Sequence, residues 1–434
     1  MGRFLPEIPH EELQSRRKKC QQRMEDGSLL LLFTGPRQIL SNDVHHRFRQ
    51  DSDFYYLTGL PVEEGILALS PESATVYIKP GSPEKETWEG PQPDIIETTE
   101  ISGIEDVRPW EKFDEDLESL LKNRSALYYP YSFHPEWDQK LLGLASRLHL
   151  RGRGGDAGPG SILHSAELVH ELRMFKSDWE IARMQETAAI TTEAHMRVIE
   201  ATRPGVFESE LEGVLFSVFR KHGANEAYPS IVAGGPRACI LHYIKNDAEL
   251  KEGQSVLMDA AAARNYIHSD VTRCFPVGKR FTQEQRTIYE IVLKSQKEAV
   301  AATVVGATMD LVHEKAVSVL VEGLRSIGLL KGTTEQILEE KSYRRFYMHR
   351  TGHWIGHDVH DVGRYYIEGK PRHYEPGMVT TVEPGLYIPQ DDDIPAGFRG
   401  IGIRIEDDVV VTKDGPLNLT QSMPVEIEQI EGLK

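Results

Sequence analysis

The chain has 434 residues, 39% hydrophobic and 27% charged, a globular mix with room for two or three domains and too apolar for wholesale disorder. Lys plus Arg number 50 against 67 Asp plus Glu, and the net charge of −17 excludes a general binder of nucleic acid or of an anionic membrane face. No apolar run approaches the ~20 residues of a membrane span.

In chain order, Met1–Pro6 turns polar at once without a signal-peptide core, and Pro6 stands where a myristoylation motif needs Ser or Thr. Cys20, Cys239 and Cys274 are odd in number and form no Cys-x-x-Cys, so neither a disulfide framework nor a cysteine zinc site is implied; the expectation is a reducing, cytoplasmic setting. A polar helix at Glu11–Met24 precedes apolar strands near Leu29–Phe33, Ile66–Leu69 and Thr75–Ile78, then a helix at Asp114–Leu121 and a strand at Leu127–Tyr129. This reads as a small α/β domain. Arg151–Gly160 is glycine-rich and reads as a loop or domain edge. Its Gly152-x-Gly154-x-x-Ala157 is no phosphate fingerprint, because Gly158, Pro159 and Gly160 block the helix that such a motif must open.

From Ser177 the texture changes. Ser177-x-x-Glu180 is a capping box for a helix running to about Thr202, and Thr282-x-x-Gln285 opens another to about Thr303. The turns that follow align at an offset of 101, Ala201-Thr202-x-x-Gly205 against Ala302-Thr303-x-x-Gly306. Two copies of one helix–turn–helix-plus-strands unit would place a site between them. The expected domains are 1–170 and 171–434.

The C-terminal region puts carboxylates where strands should be apolar. Gln254–Asp259 ends in an acid, Asp270 sits in the strand-like run His268–Phe275, and Val379–Val382 leads into Glu383 before Pro384 stops the strand. Ile401–Glu406 alternates, so Arg404 and Glu406 share one face and Ile403 and Ile405 the other. Buried carboxylates are costly unless paired or bound to a cation. His349, His353, His357 and His360 share one short segment that Gly352 and Gly356 keep from being a helix. An oxygen-rich set with one or two imidazoles suits Mn²⁺, Fe²⁺, Co²⁺ or Zn²⁺ in a two-metal hydrolytic centre better than a structural zinc site. Other signals fail: His313-Glu314 has Val317 where a zincin needs His and reads as an exposed helix residue, no Gly-x-Ser-x-Gly elbow occurs, and Cys239 and Cys274 read as buried structural thiols.

The ordered set Asp259, Asp270, His353, Glu383 and Glu406 resembles the dinuclear site of the pita-bread peptidases. The stretches Phe48–Gly59, His170–Ser177, Cys239–Tyr243, Asp358–Gly363 and Val382–Tyr387 look most like aminopeptidase P of the bacterial cytoplasmic type. The resemblance implies an α/β fold with an N-terminal domain and a C-terminal pita-bread domain of two pseudo-twofold halves. It implies that Asp270 and Glu406 bridge two metals, Mn²⁺ first among the candidates, with Asp259 completing one sphere and His353 with Glu383 the other. His242 and His360 match substrate-side histidines, and Arg404 and Tyr387 the groups supporting the ligands. The implied reaction is release of the first residue from Xaa-Pro-Yaa, with a metal-bridging hydroxide as nucleophile and Glu383 as general base. Alternatives are a prolidase restricted to Xaa-Pro dipeptides and, remotely, a non-catalytic peptidase-like binding module; the complete ligand set argues against a creatinase-type reaction. Asp43 is a candidate for binding the substrate's amino group and Trp88 for capping a neighbour's site in a homodimer or homotetramer. Peptides are the only partners expected, with no nucleic acid and no membrane. Two residues depart from the family pattern: Arg350 and Ala261 stand where glycine is usual.

Overall fold

In the computed structural model, which describes residues 7–434, the run Leu29–Phe33 is strand β1, and all five of its side chains are buried. The reading of Met1–Pro6 lies outside the described residues. The chain forms two compact units, Met1–Arg173 and Met174–Lys434.

In the first unit β1 is central to a six-stranded mixed sheet. Its other strands are β2 (Gly65–Leu69), β3 (Ala74–Ile78), β4 (Asp106–Pro109), β5 (Ala126–Tyr129) and β6 (Ser161–His164), in the order β4-β3-β2-β1-β5-β6. Both faces of β1 are covered, which is why its sequence is a continuous apolar run. Leu30 and Leu32 pack with Cys20 and Met24 beside α1 (His10–Arg23). Leu29, Leu31 and Phe33 face Phe113 and Leu117 of α2 (Glu111–Leu121) and Leu141 and Leu144 of α3 (Pro135–Leu150). The glycine-rich stretch is a connection inside this unit, from α3 to β6, and not a domain edge. A Cβ on Gly158 would lie 2.5 Å from the Ala145 carbonyl oxygen, and one on Gly160 2.7 Å from that of Ser125. The glycines are there for close backbone approach. An exposed hairpin, Ile39–Ser41 with Val44–His45, carries Asp43 in its turn.

The second unit repeats one plan. In its first half α4 (Asp178–Ala201) and α5 (Glu208–Lys221) precede the antiparallel sheet of β7 (Ile231–Gly234), β8 (Ser255–Asp259) and β9 (Thr272–Pro276). In its second half α6 (Gln283–Ala302) and α7 (Met309–Ser326) precede β10 (Val379–Val382), the pair β11 (Gly385–Tyr387) and β12 (Gly402–Arg404), then β13 (Asp407–Thr412) and β14 (Gly415–Asn418). Ser177 and Thr282 form the expected capping boxes. After each long helix the aligned threonine donates back one turn, Thr202 to Val198 and Thr303 to Ala299, and the aligned glycines adopt left-handed φ of 88° and 85°. No helix among the described residues is long and apolar enough to cross a membrane.

Candidate metal centre

Strand β8 delivers Asp259 at its last position, paired in register with Thr272 at the start of β9. Asp270 lies just before β9 and not inside one continuous strand as the sequence suggests. The chain pairs briefly at Ile267–His268, then turns because the Ser269 hydroxyl and the Asp270 amide both donate to Asp408 Oδ2, at 2.8 and 3.1 Å. Glu383 follows β10, its amide donating to the Thr351 carbonyl at 2.8 Å. Glu406 follows β12, with Arg404 two residues earlier and Ile403 and Ile405 buried on the opposite side, the alternation read from the sequence.

His353 comes from the loop that Gly352 opens. A Cβ on Gly352 would meet the Thr381 carbonyl oxygen at 2.0 Å, so only glycine lets the loop lie on β10. There the His353 amide donates to Thr381 Oγ1 at 3.1 Å and its carbonyl accepts from the Thr381 amide at 2.9 Å. His353 Nδ1 faces the Trp354 carbonyl at 3.0 Å, and Nε2 faces Asp270 at 3.3 Å and Glu383 at 3.7 Å. An Nδ1–H donated to Trp354 leaves the Nε2 lone pair for a cation. Ligand atoms of Asp270, His353 and Glu406 lie within 4.8 Å of one another. Two buried contacts fix the rest of the loop: a hydrogen bond between His357 and Glu180 at 2.9 Å and an ion pair between Lys176 and Asp361 at 3.0 Å.

The charge balance calls for cations. Burial, with repulsion from Asp270, Glu383 and Asp259, pushes the Glu406 carboxyl well above its ordinary range. Burial also raises Asp259 despite the Arg404 guanidinium, and raises Glu383 to about 7 despite His353. His353 resists burial and rises to about 9 because the Asp270 carboxylate stabilises its imidazolium. The Tyr228 hydroxyl approaches Asp259 at 2.6 Å and Asp270 at 2.5 Å, although one proton cannot serve both. Four carboxylates converging on one imidazole with a single guanidinium fit divalent ions of the Mn²⁺, Fe²⁺, Co²⁺ or Zn²⁺ class, and the lack of sulfur does not fit a structural zinc site.

These groups line a cavity of about 960 Å³ together with His242, His360 and Arg350. The His360 ring is 4.4 Å from that of His353, and burial lowers its pKa, which favours the neutral imidazole. Arg404 Nη2 donates to Asp259 at 2.6 Å, Nη1 to the Tyr387 hydroxyl at 2.9 Å and Nε to Thr272 at 3.0 Å; Thr272 in turn donates to Glu406 at 2.7 Å. His349, kept neutral by burial, meets the Tyr387 hydroxyl at 2.8 Å.

Sequence reading missed Tyr228, Thr272 and Asp408. It also misjudged His313, which is half-buried and bonded to Thr351 at 2.8 Å at the base of the histidine loop, because the loop returns over α7. Cys274 is buried as expected, whereas Cys239 is only half-buried, its thiol donating to the Ile388 carbonyl. Asp43 is exposed in its hairpin turn, and Trp88 is 84% exposed on the short helix Pro83–Glu89.

Residues 182–413 match the family described as metallopeptidase family M24, and residues 13–128 match the aminopeptidase P N-terminal domain. The Xaa-Pro aminopeptidase of Haemophilus influenzae is 38% identical over 99% of this chain and 98% of its own length, and that of Escherichia coli 37% over the same shares. Among solved structures, Pseudomonas aeruginosa aminopeptidase PepP superposes with a TM-score of 0.95 at 40% identity, covering 99% of this chain and 98% of that one.

Proposed function

This chain belongs to metallopeptidase family M24, and from that premise we propose that it is an Xaa-Pro aminopeptidase, releasing the first residue of peptides whose second residue is proline. The observation that carries this reading is the convergence of Asp259, Asp270, His353, Glu383 and Glu406 in one cavity, in a chain that parallels Xaa-Pro aminopeptidases over nearly their whole length. A non-catalytic module has no use for such a costly cluster of buried acids. Prolidase is the poorer reading, since the named relatives that match over both domains are aminopeptidases.

Asp259, Asp270, His353, Glu383 and Glu406 would hold two divalent ions, Mn²⁺ being the best match to so oxygen-rich a set. Bound there, the ions supply Lewis acidity toward the scissile carbonyl and lower the pKa of water toward neutrality. The Xaa–Pro bond is a tertiary amide without an N–H, and its departing nitrogen needs a proton. Glu383, which lines the same cavity, is placed both to take a proton from water and to give it to that nitrogen. His360 and His242 line the same cavity and donate to the carbonyl oxygen as negative charge develops on it. Arg404 and Tyr387 hold Asp259 in place. The exposed Trp88 and the apolar hairpin residues Ile39, Leu40 and Val44 support a homodimer or homotetramer, and the three free cysteines fit a cytoplasmic setting.

The test is mass-spectrometric product analysis with Mn²⁺-loaded and chelated protein on Xaa-Pro-Yaa, Xaa-Pro and Xaa-Ala-Yaa peptides. Metal-dependent release from Xaa-Pro-Yaa is expected. Equal cleavage of Xaa-Ala-Yaa overturns the reading, and cleavage of dipeptides alone replaces it with prolidase.

A further inference from the structure

Arg350 stands where the family pattern usually has glycine. Among the described residues lining the cavity, Arg404 and Arg350 carry the two permanent positive charges. Arg404 is buried and committed to Asp259, Tyr387 and Thr272. Arg350 is different: its side chain is 54% exposed at the rim, with Nη2 donating to Asp310 in the first turn of α7. The Tyr366 hydroxyl donates to the same carboxylate, at 2.9 Å to Oδ2. The helix N-terminus and two donors thus hold Asp310, and Asp310 holds the arm of Arg350 beside the cavity.

An aminopeptidase accepts one residue on the amino side of the scissile bond, and the rest of the peptide leaves through the mouth. The groups that pass the rim are therefore those beyond the proline. A guanidinium fork there matches a carboxylate in both charge and shape.

On the reading that the chain is an Xaa-Pro aminopeptidase, we propose that Arg350 is a specificity residue that recognises a carboxylate beyond the proline, supplied either by an acidic third residue or by the free C-terminus of a tripeptide. Asp310 tempers it by competing for the same fork. The contact is made at an exposed rim and is present before and during reaction, so it acts on KM rather than on kcat.

The experiment compares kcat/KM of the Mn²⁺-loaded protein on two matched pairs. One is Ala-Pro-Glu-amide against Ala-Pro-Gln-amide, and the other Ala-Pro-Ala as free acid against its amide. The ratio within each pair cancels any general change in activity. The wild type should favour the carboxylate member of at least one pair by about fivefold, the effect of an exposed ion pair worth up to about 1 kcal/mol. The responding pair identifies the source of the carboxylate. In Arg350→Met that ratio should fall to about one, in Arg350→Lys to an intermediate value, and in Asp310→Asn it should rise. Added salt should compress it. Ratios near one in the wild type, or ratios unchanged in Arg350→Met, overturn the inference while leaving the aminopeptidase reading intact. Failure of the wild type to cleave any of the four peptides removes that reading and this inference together.

Discussion

Replacing Glu383 by Gln should destroy activity and yet stabilise the metal-free protein at alkaline pH. Burial and the neighbouring carboxylates raise Glu383 from 4.5 to about 7. The folded state therefore binds this proton more tightly than the unfolded state does, and stability declines as pH rises between those two values. Below the unfolded value the group is neutral in both states and costs nothing. Above about pH 7 the full penalty is present, and at about 1.36 kcal/mol per pH unit the difference amounts to about 3 kcal/mol. Glutamine keeps the shape and cannot ionise. In chelator, urea unfolding followed by tryptophan fluorescence should give nearly equal midpoints for Glu383→Gln and wild type at about pH 4.5, and a more stable variant by about 3 kcal/mol at about pH 8. Saturating Mn²⁺ should reverse the order at the higher pH, because the carboxylate then binds cations. A difference that does not change with pH, or a variant less stable than wild type at the higher pH in chelator, would refute the charge argument.

Arg404→Met removes the guanidinium from Asp259 and should cost about 3–5 kcal/mol in chelator at about pH 8, with much of the loss recovered on metal binding; paired denaturation curves decide it. Gly352→Ala places a methyl against the Thr381 carbonyl and should displace the histidine loop, costing at least about 1–3 kcal/mol and weakening metal affinity measured by calorimetry. Lys176→Met takes the ammonium from the buried Asp361 and should destabilise by about 3–5 kcal/mol, whereas a Lys176→Met, Asp361→Asn double variant should regain a good part of it.

The acids at the metal centre are legible in the sequence because each violates a strand's apolar pattern, and Asp259, Glu383 and Glu406 indeed sit at or just beyond strand ends. Asp270 shows the limit of that logic. Periodicity cannot reveal that Asp408, more than a hundred residues away, pulls the chain out of its strand. Asp408 itself follows two other acids and looks like surface, and Tyr228 before a proline looks like a turn, until the fold turns its hydroxyl onto two carboxylates. His313 lacks a local motif, and its contact with Thr351 exists only once the loop returns to α7. In the first unit, β4 and β6 are short and weakly apolar and become strands by pairing with β3 and β5. The capping boxes and the duplicated turns, being local, were legible in full.

The most direct test of the metal-dependent Xaa-Pro aminopeptidase is a titration of chelated protein with Mn²⁺ that follows bound metal and release of the first residue from Xaa-Pro-Yaa together. Activity should be absent in chelator and rise as about two ions per chain bind, and Glu406→Gln should lose both the binding and the turnover. Full turnover in chelator, or a Glu406→Gln variant as active as wild type, would contradict it.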